Sequence, residues 1–407
     1  MTQSFTAIIL ILFLAIIHCN GQAWHITSYE TEQVREKYSF ILQGNDTIKH
    51  GSYYIWHPNG NLWQHGEFNM GNLDGIWKDY YENGNLKQLL PYKNGKLCGI
   101  MYYYFPDGTI SQQVEYLEDR QHGQTILHYQ NGALKEISYY RGGLIHGEVK
   151  SFYENSKMRS HKTYDRGMLS GKQLHYFDNG NISEYSYMQN NMYHGRFMGF
   201  YREYADSTIQ KLCYYNNGYL EGPFTGYYPS GSLMVNCHYS NNEIDGKYYR
   251  FHDSGNNYDT LLMEEGFFSS GKRDSIWITR FPEGNIYANG RYRSGRLHGE
   301  WVIFHESGHM KQKGEYFNGK AEGHFEFFYE SGELMNSGTY KNDKREGMWA
   351  TYYKTGEIMT EINYSEGLRH GIARSYDRNG ELIEQISYNN YSEPEGNDSF
   401  LPEPIQE

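Results

Sequence analysis

The sharpest chemical signature in the chain is His305-Glu306-Ser307-Gly308-His309. The spacing H-E-x-x-H binds zinc when a helix places both imidazoles on one face and the glutamate acts as general base. Gly308, however, stands where equivalent stretches carry Ser-Gly or Asn-Gly pairs, which are typical of tight turns. The motif is therefore predicted to form a turn, and no metal site is expected.

A second stretch, Gly266 to Arg273, approaches the glycine-rich loop that holds nucleotide phosphates. It lacks the Ser or Thr that should follow Lys272, and no helical pattern follows it to direct an N-terminus at phosphate. Gly271-Lys272 is predicted to be an ordinary turn between hairpins, and no cofactor is expected.

Polar side chains recur just before one series of glycines and resemble a metal-binding or pH-sensing array. Adjacent copies should lie two strands apart, about 9.6 Å, whereas zinc ligands lie near 2 Å from one ion. A polar residue at a turn is therefore the favoured interpretation. The residues in this position are His50, His122, His146, His194, His298 and His370, and Asp74, Asp245, Asp274, Glu221, Glu322 and Glu346.

These motifs are positioned by a sequence repeat of 24 residues. Each repeat begins with a glycine of one series, which we call the lead glycines, and Ser275 takes the place of the one that is missing. Insertions of 3 and 5 residues lengthen the steps that end at Gly222 and Ser275. Fourteen repeats result, with lead glycines at Gly51, Gly75, Gly99, Gly123, Gly147, Gly171, Gly195, Gly222, Gly246, Gly299, Gly323, Gly347 and Gly371.

A second glycine series lies nine residues after the first and follows Asn, Asp, Ser, Glu or Thr, as in Asn59-Gly60 and Asp107-Gly108. Such pairs mark tight hairpin turns, because glycine adopts positive φ without steric cost. Proline, which lacks the N–H that a strand interior needs, stands at the turn entrance. Its four occurrences there are Pro58, Pro106, Pro229 and Pro282.

Two short strands are predicted in each repeat. The first has an aromatic five residues after the lead glycine, such as Tyr80 and Tyr352. The second has an aliphatic such as Leu86 two residues after the turn glycine, and then an aromatic such as Tyr92. This alternation predicts an all-β chain, an elongated array of about fourteen 24-residue antiparallel β-hairpins forming a long twisted or curled sheet. At about 4.8 Å per strand, fourteen hairpins would span roughly 130 Å.

The composition excludes several classes of protein. Aromatic residues make up 17% of the chain, which argues against disorder despite 45 glycines. The net charge of -12 disfavours binding to nucleic acid and to anionic lipid headgroups.

The two ends of the chain differ from the repeats. Residues 1–23 contain no charged side chain and are predicted to be a secretory signal peptide, with lipidation at Cys19 as the alternative that would attach the chain to a membrane. Residues 24–50 are predicted to form a capping half-repeat with a strand over residues 38–42. Residues 392–407 hold three prolines, four glutamates and one aspartate and are predicted to be a disordered acidic tail.

Three cysteines remain after removal of the signal peptide, namely Cys98, Cys213 and Cys237. Cys213 and Cys237 occupy equivalent positions in adjacent repeats, which is too far apart for a disulfide. Free thiols are predicted.

The repeats resemble the MORN repeat superfamily, specifically the variant found in bacterial proteins labelled YwqK-type antitoxins. Units such as Tyr80-Tyr81-Glu82-Asn83-Gly84-Asn85-Leu86-Lys87, followed by Tyr92-Lys93-Asn94-Gly95-Lys96-Leu97-Cys98-Gly99, carry the resemblance, which covers residues 51–391. It implies an elongated antiparallel sheet that binds proteins or lipids, and the antitoxin label implies neutralisation of a protein toxin.

The sequence thus predicts an exported scaffold, periplasmic or extracellular, that binds protein partners through an extended aromatic and acidic sheet surface and is not an enzyme. A toxin-neutralising antitoxin or immunity protein is the alternative. Adjacent tyrosines offer rigid area with a polar tip, so they are candidates for the partner-binding surface as well as for packing. These residues are Tyr102, Tyr103, Tyr248, Tyr249, Tyr352 and Tyr353.

Overall fold

The computed structural model describes residues 23–203, 208–255 and 261–392 of the chain. They form strands and turns, and no helix occurs among them. The predicted signal peptide, including Cys19, lies outside the described residues except for Ala23. The predicted acidic tail from residue 393 and the two inserted segments (residues 204–206 and 256–260) also lie outside them.

The first of two compact units spans Met1–Met192. Its strands are β1 (Ala23–Ser28), β2 (Val34–Gln43), β3 (Asp46–Trp56), β4 (Leu62–Asn69), β5 (Asn72–Tyr80), β6 (Leu86–Lys93), β7 (Lys96–Leu97), β8 (Gly99–Tyr104), β9 (Ile110–Leu117), β10 (Arg120–His128), β11 (Leu134–Arg141), β12 (Leu144–Ile145), β13 (Gly147–Phe152), β14 (Met158–Asp165), β15 (Met168–Leu169), β16 (Gly171–Tyr176) and β17 (Ile182–Gln189). The short β18 (Met192–Tyr193) follows.

The second unit spans Tyr193–Glu407. Its strands are β19 (Gly195–Phe200), β20 (Ile209–Asn216), β21 (Tyr219–Leu220), β22 (Gly222–Tyr227), β23 (Leu233–Ser240), β24 (Glu243–His252), β25 (Leu261–Ser269), β26 (Lys272–Arg280), β27 (Ile286–Arg293), β28 (Arg296–Phe304), β29 (Met310–Phe317), β30 (Lys320–Ala321), β31 (Gly323–Phe328), β32 (Leu334–Lys341), β33 (Lys344–Tyr352), β34 (Ile358–Ser365), β35 (Leu368–Tyr376) and β36 (Leu382–Ser392).

Within each unit, successive long strands pair antiparallel, and each two-residue strand pairs with the long strand before it, as β7 and β8 both do with β6. The predicted all-β array of hairpins is confirmed. Every repeat gives one strand after its lead glycine and one after its turn glycine, as β5 and β6 illustrate. The strand expected near residues 38–42 lies within β2, which pairs with β1 on one side and with β3 on the other.

Two kinds of turn alternate along each unit. At the predicted turn glycines the chain makes a four-residue turn, in which the Gly60 N–H donates to the His57 carbonyl at 2.9 Å and φ of Gly60 is +91°. The next turn has two central residues, both at positive φ, such as Asn94 at 51° and Gly95 at 80°. Positive φ at both positions defines a type I′ turn, which matches the twist of the strands and favours Asn and Gly.

The lead glycines do not form turns; they lie inside the ladder at a bulge. In β4 and β5, His65 pairs with Lys78 and Glu67 pairs with Asp74, so Gly66 alone faces the stretch from Gly75 to Trp77. Gly75 has φ of +69°, a conformation that glycine reaches without strain. The polar residue before the lead glycine therefore lies at a bulge, either within a strand, as Asp74 does in β5, or between two short strands, as His146 does between β12 and β13. Its expected location in a turn was wrong.

Side chains two residues after the lead glycine, together with their cross-strand neighbours, form what we call the core row. In the second unit, Gly290 pairs with Trp277 on one side and with Trp301 on the other. A Cβ added to Gly290 would overlap the Trp301 ring, so the indole lies directly on the glycine backbone. The same pairing recurs at Gly266 with Trp277, Gly314 with Phe325 and Gly338 with Trp349, and in the first unit at Gly66 with Trp77.

Tyrosines on the second strand complete this core. Tyr292 meets Trp301 edge to face, with ring centroids 5.3 Å apart and an interplanar angle of 87°. Tyr340 meets Trp349 in the same way at 4.9 Å. These side chains are the aromatics predicted late in the second strand, and they belong to the buried cluster of the second unit.

Candidate functional site

The zinc-like motif forms a turn, as the repeat register predicts. The His305 N–H donates to the His309 carbonyl at 2.9 Å, which closes the turn between β28 and β29. The His305 ring donates through Nε2 to the Phe328 carbonyl at 3.2 Å, and the His309 ring donates through Nδ1 to the Glu330 carbonyl at 2.9 Å. Both imidazoles thus donate an N–H to the backbone of the next repeat.

His305 is one member of a ladder in which the residue six positions after the lead glycine bonds to the following repeat. In seven of the fourteen repeats the residue is tyrosine, and in six of these its hydroxyl donates to a carbonyl 23 residues ahead. Examples are Tyr81 to Tyr104 at 2.8 Å, Tyr153 to Tyr176 at 2.8 Å and Tyr329 to Tyr352 at 2.9 Å. The second aromatic of many repeats is therefore an inter-repeat hydrogen-bond donor.

The polar position before the lead glycine is used in a similar way. Its side chain accepts a hydrogen bond from the first central N–H of the type I′ turn in the next repeat. Asp274 accepts from Ser294 at 3.0 Å, and Glu322 accepts from Asn342 at 2.9 Å. Accepting this bond lowers the pKa of the Asp274 carboxyl. His50 takes the same role and accepts through Nδ1 from Met70 at 3.3 Å.

The structure separates the six candidate tyrosines, all of which are partly buried. Tyr248 belongs to the core row and packs on Trp277 with ring centroids 5.7 Å apart. Burial, and then the nearby Glu264 carboxylate, raise its pKa. Burial likewise raises the pKa of Tyr103, whose position lies on the core face.

The other four tyrosines occupy different positions. Tyr102 and Tyr249 stand three residues after their lead glycines and so alternate onto the face opposite the core. The carbonyl of Tyr352 accepts the Tyr329 hydroxyl, and the Tyr353 hydroxyl donates to the Tyr376 carbonyl at 2.9 Å. The six tyrosines therefore do not form one surface.

Cys98, Cys213 and Cys237 are free thiols, as predicted. Cys213 and Cys237 are buried in the core row. Burial raises the pKa of Cys237 to about 11, which leaves it protonated and unreactive at neutral pH. No group of three or more metal-binding side chains occurs among the described residues.

A row of exposed apolar side chains was missed by the sequence analysis. Its members are the apolar side chains found one residue after some lead glycines and at the cross-strand partners of this position, on the face opposite the core, and we call them the outer row. Charged residues such as Glu148 and Lys172 occupy the same position in other repeats. The outer row could have been predicted, because successive side chains of a strand point to opposite faces and each of these residues adjoins a core position. In the first unit it contains Ile76, Ile100, Tyr139 and Tyr187, and in the second Tyr214, Phe267, Ile276, Met348 and Ile372.

The family model described as MORN repeat variant matches nine segments of the chain, at residues 49–70, 73–94, 97–118, 145–166, 220–241, 297–318, 321–342, 345–366 and 369–390. The chain belongs to the MORN repeat family. Each matched segment begins two residues before a lead glycine. The five MORN-like repeats outside the match, which open at Gly123, Gly171, Gly195, Gly246 and Ser275, form the same pair of strands.

Two solved structures show a distant likeness. A crystal structure of TcdB2-TccC3 is 9% identical, with a TM-score of 0.16, over 90% of this chain and 24% of that chain. A Photorhabdus luminescens Tc holotoxin pore is 11% identical, with a TM-score of 0.15, over 90% of this chain and 19% of that one. This chain thus spans less than a quarter of either structure, and at these scores the likeness supports no inference. A comparison with curated proteins gave no match.

Within the part of the chain that the structure describes, no helix has the length and apolar character to cross a membrane.

Proposed function

We propose that this MORN repeat protein is an exported, non-enzymatic scaffold that binds protein partners through an extended aromatic and acidic sheet surface. The observation that supports this proposal most directly is the outer row. Large apolar side chains that stay exposed in a series are typical of surfaces that bind other proteins. Ile276 is 58% exposed and Met348 is 61% exposed, whereas the core row beside them is buried.

The use of the polar side chains also supports a binding role. Several histidines, tyrosines and carboxylates, residue types that could act in catalysis, are instead hydrogen-bonded to the backbone of the next repeat, as His305 and Asp274 are. An enzyme needs convergent polar groups that are free to meet a substrate. A repeat scaffold needs only a stable backbone and a varied outer surface.

The proposal is tested by affinity capture with the mature chain, from Trp24 onward, in envelope and secreted fractions. The decisive variant combines Ile76→Ser, Ile100→Ser and Tyr139→Ser, which removes apolar side chains of the outer row in the first unit. The matched control combines Glu148→Ser and Lys172→Ser, which occupy the same position in neighbouring repeats but are charged. Loss of a captured protein with the first variant alone supports the proposal, and equal capture by both contradicts it.

The same capture separates the scaffold from a toxin-neutralising protein. Several partners at modest yield fit a scaffold. A single stoichiometric partner whose toxicity the chain suppresses would replace the scaffold proposal with an antitoxin or immunity function. Export is checked independently by the mass of the chain recovered from the host, which should lack about 20 N-terminal residues if a signal peptide is removed.

A further inference from the structure

A row of cations follows one edge of the second unit. The residue after each type I′ turn lies over the turn glycine of the next repeat: Lys272 Cβ would contact a Cβ on Gly295 at 3.7 Å, and Arg296 is placed likewise over Gly319. In four successive repeats this residue is cationic and exposed. The four are Lys272, Arg296, Lys320 and Lys344, about 9.6 Å apart from one repeat to the next because two strands separate them.

Two further cations stand directly across the strands from this row. Arg293 pairs with Arg296, and Lys341 pairs with Lys344. Like charges in such pairs repel and destabilise a sheet, so packing within the hairpin does not explain them. We call these six residues the basic edge: Lys272, Arg293, Arg296, Lys320, Lys341 and Lys344. None of the six forms an ion pair with another described residue.

Most carboxylates near the basic edge are already engaged with backbone amides. Asp274, Glu322 and Glu346 each accept the N–H of the following type I′ turn, at 3.0, 2.9 and 2.9 Å. Asp343 accepts the Ala321 N–H at 2.6 Å. Their charges are held against the turns, whereas the six cations are exposed, and Arg293 lies close enough to Asp274 to help lower the pKa of that carboxyl. A chain of net charge -12 thus presents a cationic edge.

The last described strand of the chain ends at this same edge. β36 runs away from the turn near Gly380, and its last residue, Ser392, pairs with Arg369 beside the Glu366-Gly367 turn. Residues 393–407 contain four glutamates and one aspartate, with no cation, and three prolines. The anionic segment therefore begins next to the row of cations.

Length and spacing both permit the segment to follow the basic edge. Fifteen residues in a polyproline II conformation extend about 47 Å, and each turn of that helix advances about 9.3 Å. From β36, Lys344 on β33 lies three strands away, about 14 Å, and Arg296 on β28 lies seven strands away, about 34 Å. The repeat of the cations, about 9.6 Å, nearly matches one turn of the extended segment.

We propose that residues 393–407 dock in cis along the basic edge, with their carboxylates facing Lys341 and Lys344 first and then Lys320 and Arg296. A single exposed ion pair is weak, so the docking depends on several pairs and weakens with salt. Covalent attachment raises the local concentration of the segment to about the millimolar range. The segment thereby competes with any acidic partner for this edge. This proposal is independent of the outer row and its partners.

The test is zero-length carbodiimide cross-linking of the full chain, which joins a carboxylate to an amine that it touches. An equal mixture of 14N and 15N protein, analysed by mass spectrometry, separates cis from trans products. We expect cis cross-links from Glu393, Glu395, Asp398 and Glu403 to Lys320, Lys341 and Lys344, which disappear in 1 M salt. Lys311 and Lys354, at the other edge, serve as internal controls.

A matched pair of variants extends the test to docking itself. Lys320→Glu with Lys344→Glu should raise the rate at which a glutamate-specific protease cleaves the acidic segment by about threefold or more, because docking removes substrate from solution. Lys311→Glu with Lys354→Glu changes the charge equally and should leave the rate unchanged.

Three outcomes overturn the proposal. Cross-links spread evenly over both edges, or absent altogether, show that the segment is not docked. Cross-links that join 14N to 15N chains show that a second copy occupies the edge. Equal cleavage rates in the two variants show that the basic edge does not hold the segment.

Discussion

Two stretches of the molecule have the same arrangement of strands and turns but differ in the side chains of the core row. From Gly266 to Trp349, in the second unit, glycine alternates with tryptophan or phenylalanine. From Met101 to Ser186, in the first unit, the same positions hold smaller and often polar side chains. These are Met101, Val114, Thr125, Ser138, Val149, Lys162, Gln173 and Ser186.

The strands, bulges and both kinds of turn are the same in the two stretches. Ser138 and Gln173 are as well buried as the tryptophans, at 0% and 2% exposure. The comparison teaches that turns and inter-repeat hydrogen bonds specify the backbone, while the core row sets how strongly each repeat is held. Repeat arrays are stabilised locally, so this difference should appear as a difference between regions.

The largest expected effect comes from removing a core indole. Trp301→Ala should destabilise its region by about 3–5 kcal/mol, because the ring is buried and its loss leaves a cavity. At the equivalent position Gln173→Ala should cost only about 1–2 kcal/mol, for the lost hydrogen bonds to Thr163 and Gly171. Hydrogen exchange of peptides from each region measures the loss of stability in both variants. Equal losses would show that the core row does not set the stability of the two regions.

The next effect tests the close contact of glycine and ring. Gly290→Ala should destabilise the second unit by about 2–3 kcal/mol, because the added methyl meets the Trp301 ring and overpacking costs about this much. Gly290 does not have positive φ, so backbone strain is not a confounding term. Ser138→Ala is the control and should cost less than about 1 kcal/mol. In a double-mutant cycle, Gly290→Ala should become nearly neutral when Trp301 is alanine.

A pH effect of intermediate size is expected from Tyr316. Burial raises its pKa to about 12, whereas an unfolded tyrosine titrates near pH 10. Below pH 10 both states keep the proton and stability is unaffected by this group. Between pH 10 and 12 only the unfolded state loses it, so stability falls by about 2 kcal/mol as the pH rises.

Thermal unfolding followed by near-UV circular dichroism from pH 9 to 11.5 measures this slope. Tyr316→Phe should flatten it. A variant that melts with the same alkaline slope as the parent would show that Tyr316 does not carry the effect. The pKa of Tyr164 in the first unit is also raised by burial, so the sign should be the same there.

The smallest effect, from removing one inter-repeat tyrosine hydroxyl, should be equal in the two regions, because both contain the same hydrogen bond. Tyr153→Phe and Tyr329→Phe each remove one hydroxyl that bonds to the next repeat, and each should cost about 1 kcal/mol. Local hydrogen exchange on both sides of the substituted repeat gives the two values. A cost several times larger in one unit would mean that the ladder is not a common element.

Much of the fold was predictable because it depends on local sequence. Turn glycines such as Gly60 require positive φ, and alternation places Leu86 and Tyr92 on strands, so the hairpin period follows from the chain alone. The bulge at the lead glycines was not predictable, because a glycine at positive φ serves a turn and a bulge equally well. Residues such as Asp274 accept a hydrogen bond from a turn 20 residues further along the chain. No local sequence pattern indicates that turn as the partner.

The candidate surface was only partly predictable. Pairs such as Tyr352-Tyr353 were expected to include a binding surface, but the hydroxyl of Tyr353 holds the next repeat. The outer row and the basic edge follow from which face and which edge each position occupies. That assignment needs the register at the bulge, which only the structure supplies.

The tyrosine ladder also bears on how the chain folds. Its bonds reach 23 residues ahead where no insertion intervenes, and 26 residues ahead from the Tyr201 hydroxyl to the Tyr227 carbonyl, where one does. Native contacts therefore stay short-range however many repeats are added, so relative contact order falls as the array lengthens. During synthesis, a repeat can form all of its hydrogen bonds as soon as the following repeat has left the ribosome. Folding during synthesis should proceed one repeat at a time, from the N-terminus onward.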